Sequence, residues 1–401
     1  MGVLEKLEIL GASAKFDTCA STASNRAVKR GAGYIGAPVS SGVCHSFLPD
    51  GRCVTLLKVL YTNKCIHDCK YCFNSTSSTR QRTSFEPQEL TRLFMNLYLR
   101  NYVEGLFLSS GVCGSAEKTM EGMLGVVEQL RMKEHFEGYI HLKVLPSSPY
   151  YLIKEGSTYA DRLSVNCEAP NKSRFQELSG TKEYKNDILT RIAWIKGLKK
   201  QKLLPAGHTT QFVVGGADEP DRELLKMALW LYENMDLNRS YYSAFSPIKG
   251  TPLENMQATP IKREHRLYQA DWLLRKYNFK FSELELAFND KGNIPITEDP
   301  KLLIAQADPD RFPLEINEAS YEDLLHIPGI GPISARRIIN LRKNQIVIEE
   351  FRQLANIGVV LKRARPYIKV AYKRQTQLDN FLNKNDLEAI QYVMPEWDES
   401  H

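Results

Sequence analysis

Three cysteines fall within eight residues, Cys65-Ile66-His67-Asp68-Cys69-Lys70-Tyr71-Cys72, directly after an apolar, β-branched run at residues 54–62. The run reads as a buried strand and the cysteines as the loop that leaves it. Three thiolates this close grip three irons of a cubic iron–sulfur cluster and leave the fourth iron open for chemistry. Zinc is the alternative, because His67 completes a Cys3His set. All four ligands would then lie within eight residues, whereas structural zinc sites usually join two separated pairs. A disulfide fits poorly, since residues 1–10 lack the apolar core of a signal peptide.

The chain has 401 residues, enough for two or three domains, with 43% hydrophobic and 25% charged residues, as in ordinary globular proteins. No apolar run is long enough to span a bilayer. Eight cysteines without an export signal point to a reducing, cytoplasmic compartment and to metal or thiol chemistry. Met1-Gly2 is no myristoylation signal, because Lys6 stands where Ser or Thr is required. The net charge of +6 is unevenly spread. Residues 330–374 hold eleven Lys/Arg against two acids, a surplus of nine, which leaves the rest at −3. A basic C-terminal segment richer in arginine than in lysine suits a polyanionic partner.

Runs at 54–62, 105–111, 139–145, 162–169, 209–219 and 239–253 read as strands. Helical stretches at 86–102, up to about 133, 187–201 and 222–235 separate several of them, with Ser84 as the expected cap of the first. This βα alternation predicts an α/β fold with a parallel sheet, whose ligands bind at the C-terminal strand ends. Residues 21–42 are rich in Ser, Gly and Ala and read as mobile. Residues 289–313 carry four prolines and read as a linker with one short helix. The expected organisation is an N-terminal extension (1–53), a barrel domain (54–290), a linker (291–316), a helical domain (317–374) and a polar tail (375–401).

The cysteine loop resembles the signature of radical S-adenosylmethionine (radical SAM) enzymes, and the likeness extends to the strand ends over roughly residues 54–255. It implies a partial (βα)6 barrel holding a [4Fe–4S] cluster on Cys65, Cys69 and Cys72, with S-adenosylmethionine on the open iron. Tyr71 takes the aromatic position that the family places beside the adenine. Ser109-Ser110-Gly111 occupies the place of the family's glycine–glycine–glutamate motif, although serines replace its first two positions and no glutamate follows. Asn166 and Glu168 match positions of ribose or carboxylate contacts. Gly216, within Val214-x-Gly216-x-x-Glu219, matches the support of the adenine, and Ser246-Pro247-x-x-Gly250-Thr251-Pro252 resembles a closing strand turn. The implied chemistry is reductive cleavage of S-adenosylmethionine to a 5′-deoxyadenosyl radical that removes a hydrogen atom from substrate. Cys113 and Cys167, each just past a strand end, are candidate hydrogen-atom donors or ligands, against the reading of small buried hydrophobes. Cys19, Cys44 and Cys53 are candidates for a second cluster.

The motif Leu324-Leu325-His326-Ile327-Pro328-Gly329-Ile330-Gly331-Pro332, running into Arg336 and Arg337, resembles a helix-hairpin-helix. Gly329 and Gly331 would bring backbone N–H groups against a DNA phosphate, with Arg336 and Arg337 adding charge. Residues 357–368 look like a degenerate second copy, giving a small all-α tandem domain. The barrel and hairpin together resemble a bacterial and archaeal family described as DNA modification or repair radical SAM proteins. That likeness implies DNA as partner, a reducing electron donor such as flavodoxin or ferredoxin, and no membrane. Two alternatives are a non-catalytic iron–sulfur DNA-binding redox sensor and a radical SAM enzyme acting on RNA; 5′-deoxyadenosine formation separates the first, and binding to duplex DNA against RNA the second.

Overall fold

The computed structural model describes residues 1–14, 43–47 and 53–370. The stretch 21–42, the side chains of Cys19, Cys44 and Cys53, Lys373, Arg374 and the tail 375–401 lie outside the described residues. The chain divides into two units, one comprising Met1–Tyr268 with Asp290–Asn293, the other Gln269–Asn289 with Ile294 onward.

The first unit is built on a seven-stranded sheet ordered as in sequence: β1 (Val43–Phe47), β2 (Cys53–Leu60), β3 (Gly105–Ser109), β4 (Tyr139–Lys143), β5 (Arg162–Ser164), β6 (His208–Val214) and β7 (Arg239–Ala244). Strands β2 to β7 are parallel, as the alternation predicts, and β1 adds an antiparallel edge on β2. Because each crossover steps to the next strand in the same direction, right-handed connections put the helices on one face. A twisted sheet covered this way curls into a half-barrel. β2 is buried on both faces, with Leu56, Leu57, Val59 and Leu60 at 4% exposure or less, as a parallel strand requires.

The helix Ala116–Met132 shows how the outer layer forms. Ser115 caps it by accepting from the Lys118 N–H at 3.1 Å. Met120, Met123, Leu124, Val127 and Leu130 recur at helical spacing and are buried. Each such side chain contributes about 1.5–3 kcal/mol of burial free energy. The helix Pro87–Leu99 starts differently from expectation. Its cap is Glu86, whose N–H donates to Glu89 Oε2 at 3.0 Å, because the Ser84 hydroxyl is taken by Thr62 Oγ1 at 2.7 Å. The helical stretch expected from residue 187 begins as a π-helical segment, Tyr184–Leu189, and continues as Thr190–Lys200. The start of the expected linker is tied into this unit, where Gly292 accepts from the Arg222 N–H at 3.0 Å and Asn293 from the Asp221 N–H at 3.1 Å.

The second unit holds the helix Pro300–Ala307 and two short helical pairs, Tyr321–His326 with Pro332–Lys343 and Phe351–Asn356 with Leu361–Ala364. Their apolar faces share one core containing Leu324, Ile330, Ile338, Leu354 and Ala364. A parallel pairing of Leu314–Glu315 with Ile368–Lys369 supplements the expected all-α architecture.

Candidate active site

The cysteine loop leaves the C-terminal end of β2 and is held by one arginine. Arg82 donates to the carbonyls of Asn63, Asn74, Ser75 and Ser78, which flank the loop. At the end of β3, Gly111 donates its N–H to the Thr62 carbonyl at 2.8 Å. A Cβ on Gly111 would overlap the Lys64 carbonyl and lie 3.2 Å from Cys65 Cβ, so only glycine lets β3 reach the loop backbone. The backbone N–H of Val112 meets the Cys65 sulfur at 3.5 Å and that of Asn74 meets the Cys72 sulfur at 3.4 Å.

Cys65, Cys69 and Cys72 open on a cavity of about 320 Å³, together with Tyr71, Ser109, Ser110, Gly111, Asn166 and Glu168. Nine of the residues singled out from sequence thus share one space at the C-terminal strand ends. Glu168 adopts a positive φ of 62° and is fixed by its N–H to the Gln211 carbonyl at 2.9 Å. Burial, then Glu168 and the cysteines, raise the Tyr71 hydroxyl well above its ordinary pKa, and it bonds to the Glu168 carboxylate. Burial followed by Cys69 pushes the Cys72 thiol up to about 12. Sequence reasoning missed Lys182, which lines the same cavity as Cys69. Burial alone would lower its pKa, but Cys69 and Glu168 outweigh this and hold it charged. His67 also lines the cavity; burial, then Lys182, bring its imidazole down to about 4. Its Nδ1 faces Thr181 Oγ1 at 3.2 Å and its buried Nε2 has no hydrogen-bond partner among the described residues.

In the second unit, the two hairpin turns pack on each other. Gly329 and Gly358 occupy equivalent places with φ of 85° and 90°, a region that favours glycine. The Val360 N–H donates to the Gly329 carbonyl at 3.0 Å, and a Cβ on Gly329 would stand 2.6 Å from the Val360 carbonyl. Gly329 is therefore needed first for the turn and its packing. A Cβ on Gly331 would meet the Tyr277 hydroxyl at 3.1 Å. Arg337 donates to the Ile357 carbonyl of the second turn at 3.0 Å, whereas Arg336 is exposed and makes no hydrogen bond among the described residues.

Residues 59–231 match the model of the radical SAM superfamily. The barrel thus carries a radical SAM domain. Residues 313–362 match a helix-hairpin-helix motif. Among curated proteins, no sequence matches the chain. Similar solved structures include HydG, a maturase of the [FeFe]-hydrogenase, at 11% identity and TM-score 0.43, covering 54% of this chain and 48% of that one. Methylornithine synthase (PylB) aligns at 14% identity and TM-score 0.44, covering 54% and 60%. The FeFe-hydrogenase maturase HydG from Carboxydothermus hydrogenoformans aligns at 13% identity and TM-score 0.41, covering 54% and 50%. The chain thus spans about half the length of these structures.

Radical SAM enzymes use a [4Fe–4S] cluster and S-adenosylmethionine, and the donor set here fits them. Three thiols face one cavity, with backbone N–H groups directed at the Cys65 and Cys72 sulfurs and the Ser179 hydroxyl near that of Cys69, the usual environment of cluster ligands. Among the described residues, no three His, Cys, Asp or Glu side chains form a set for a single metal ion. Other singled-out positions stand apart from the cavity. Cys167 is fully buried, its N–H bonded to Thr210 at 2.9 Å, and burial pushes its thiol up to about 12. Cys113 starts the turn into the helix Ala116–Met132, its N–H donating to Thr119 Oγ1 at 2.9 Å. Neither cysteine is among the cavity-lining residues. Gly216 packs on Val213 and Leu178 beneath the turn; Gly215 takes the positive φ of 82°, and Glu219 closes the turn by accepting from the Gly215 and Ala217 N–H groups. Among the described residues, no helix is long and apolar enough to cross a membrane.

Proposed function

We propose that the barrel cleaves S-adenosylmethionine reductively and that its radical chemistry modifies or repairs DNA held by the tandem hairpin unit. The observation that carries this reading is the shared cavity of Cys65, Cys69 and Cys72 with Ser109, Ser110, Gly111, Asn166 and Glu168. Cys65, Cys69 and Cys72 would hold three irons of the cluster. Tyr71, Ser109–Gly111, Asn166 and Glu168 would surround S-adenosylmethionine, and Gly216 would support the β6 turn from below. When bound, cluster and S-adenosylmethionine together supply a 5′-deoxyadenosyl radical that takes a hydrogen atom from substrate. The chain's own part is to fix the thiols through Arg82 and Gly111 and to orient Glu168 through its backbone bonds.

The DNA side of the reading rests on the hairpin motif and the surplus of nine positive charges over residues 330–374. Helix N-termini such as that of Pro332–Lys343 offer backbone N–H groups to phosphate. Contacts of this kind are blind to base identity, so the target would be selected in the barrel. The electron donor would be a flavodoxin or ferredoxin of a reducing cytoplasm. The test is anaerobic incubation with dithionite, S-adenosylmethionine and varied DNA, followed by mass spectrometry of nucleosides. The reading expects 5′-deoxyadenosine and an altered nucleoside. A fully loaded cluster that forms neither would leave a redox-sensing DNA-binding protein instead, and product with RNA alone would reassign the substrate.

A further inference from the structure

The three cluster-loop sulfurs are not equivalently solvated. Cys65 and Cys72 each meet a neutral backbone N–H, from Val112 and Asn74. Cys69 shares the cavity with the Lys182 ammonium, which acts on it electrostatically, and the Ser179 hydroxyl is 3.9 Å away. Lys182 is 113 positions from Cys69 in sequence, and its place is built by one carboxylate in the cysteine loop. Asp68 accepts from the Ser179 hydroxyl at 2.8 Å, the Gly180 N–H at 3.0 Å, the Thr181 N–H at 3.2 Å and the Thr181 hydroxyl at 2.8 Å. The Lys70 N–H adds a bond to the Leu178 carbonyl at 2.9 Å. A Cβ on Gly180 would lie 2.9 Å from Asp68 Oδ2, so the segment docks as closely as a glycine allows. The next residue but one is Lys182, which lines the cavity together with Cys69 and Glu168.

We propose that Lys182 is a positioning residue that sets the reduction potential of the cluster, an inference that rests on the assignment of Cys65, Cys69 and Cys72 as its ligands. Reduction adds one electron from a low-potential one-electron donor to a site already surrounded by thiolates; no bond is made and no proton moves. A fixed cation in the cavity beside one ligand sulfur stabilises the more negative, reduced state more than the oxidised one. Net charge and hydrogen bonds to sulfur are the established controls on such potentials, and burial weakens solvent screening. Glu168, a negative charge lining the same cavity, moderates the effect.

The experiment is a redox titration of the reconstituted full-length protein, followed by electron paramagnetic resonance, for the parent, Lys182→Met and Lys182→Arg. Iron is counted in each. We expect four irons in all three and a midpoint potential lower in Lys182→Met by at least a tenfold shift of the reduction equilibrium, about 59 mV for a one-electron couple. Lys182→Arg should recover most of it. Should Lys182→Met lose iron, Lys182→Gln supplies a neutral side chain that can still hydrogen-bond, and it too is expected to lower the potential. Equal potentials in parent and neutral variants overturn the inference. A parent that binds no cluster overturns the ligand assignment instead, a result visible in the iron count before any potential is read.

Discussion

Gly111 abuts the backbone of Lys64, leaving no room for a side chain between the end of β3 and the start of the cysteine loop. Gly111→Ala is therefore expected to overpack this junction, at a cost of about 1–3 kcal/mol. Because the displaced atoms lie beside Cys65, the variant should also retain less iron than the parent after anaerobic desalting. Thermal denaturation and iron per chain check both effects. A variant with unchanged Tm and iron would mean that the junction yields freely.

Arg82→Lys keeps the charge but loses the planar fork that reaches four carbonyls. The expected loss is about 1.5–3 kcal/mol, that of a charged hydrogen bond. A looser loop should release iron faster to a chelator such as bipyridyl. Identical chelation rates in the two proteins would show that the loop is held by other contacts.

For the hairpin unit, Arg336 and Arg337 separate binding from stability. Arg336→Gln removes an exposed charge, so affinity for duplex DNA should fall and the log–log salt slope should become shallower by about 0.9 for each phosphate that is no longer neutralised. Its Tm should match the parent's. Arg337→Gln also removes the bond to the Ile357 carbonyl and should lower Tm by the equivalent of about 1 kcal/mol. Fluorescence anisotropy at several salt concentrations, paired with calorimetry of the full-length protein, reads both. Salt-independent binding would assign the unit to protein partners.

Lys301 gives a pH signature. Its ammonium is buried against the Ile330 carbonyl at 2.6 Å and over the Tyr277 ring, and burial, partly countered by Asp299, brings its pKa down to about 7 from 10.5. Between those values the unfolded chain binds more protons than the folded one, so stability rises with pH. The contribution is complete above 10.5 and lost as pH falls through 7. Calorimetry from pH 6.5 to 9.5 should show the second unit's transition gaining stability in the parent and gaining less in Lys301→Met. Parallel pH profiles would place Lys301 in a better-solvated site than the structure describes.

The barrel was legible because buried parallel strands leave short apolar, β-branched or aromatic runs, most continuous in β2, and these alternate with helical periodicity. β1 was not, because its pairing is antiparallel and precedes that pattern. Among the cavity-lining residues, those at or shortly after a strand end, such as Ser109 and Glu168, could be found by position alone. Lys182 could not. It lies in a helical connection, and only the bonds from Asp68 to residues 179–181 bring it to Cys69. Local turn chemistry misled in two places. The motif centred on Gly216 is built on the positive φ of its neighbour Gly215, and Ser84 gives up its hydroxyl to Thr62 rather than to the helix start.

The Asp68–Thr181 contact also says when the site comes into being. It joins positions 113 apart, and β3, β4 and β5 must be laid down between them. Closing a loop of that span is slow compared with forming the local cysteine turn. The three thiols are neighbours as soon as the ribosome releases them, but the amide of Val112 arrives 47 residues later and the lysine later still. An emerging chain thus offers bare thiols without the surroundings that suit a cluster, and on the proposed ligand assignment iron loading would belong to the finished barrel rather than to its synthesis.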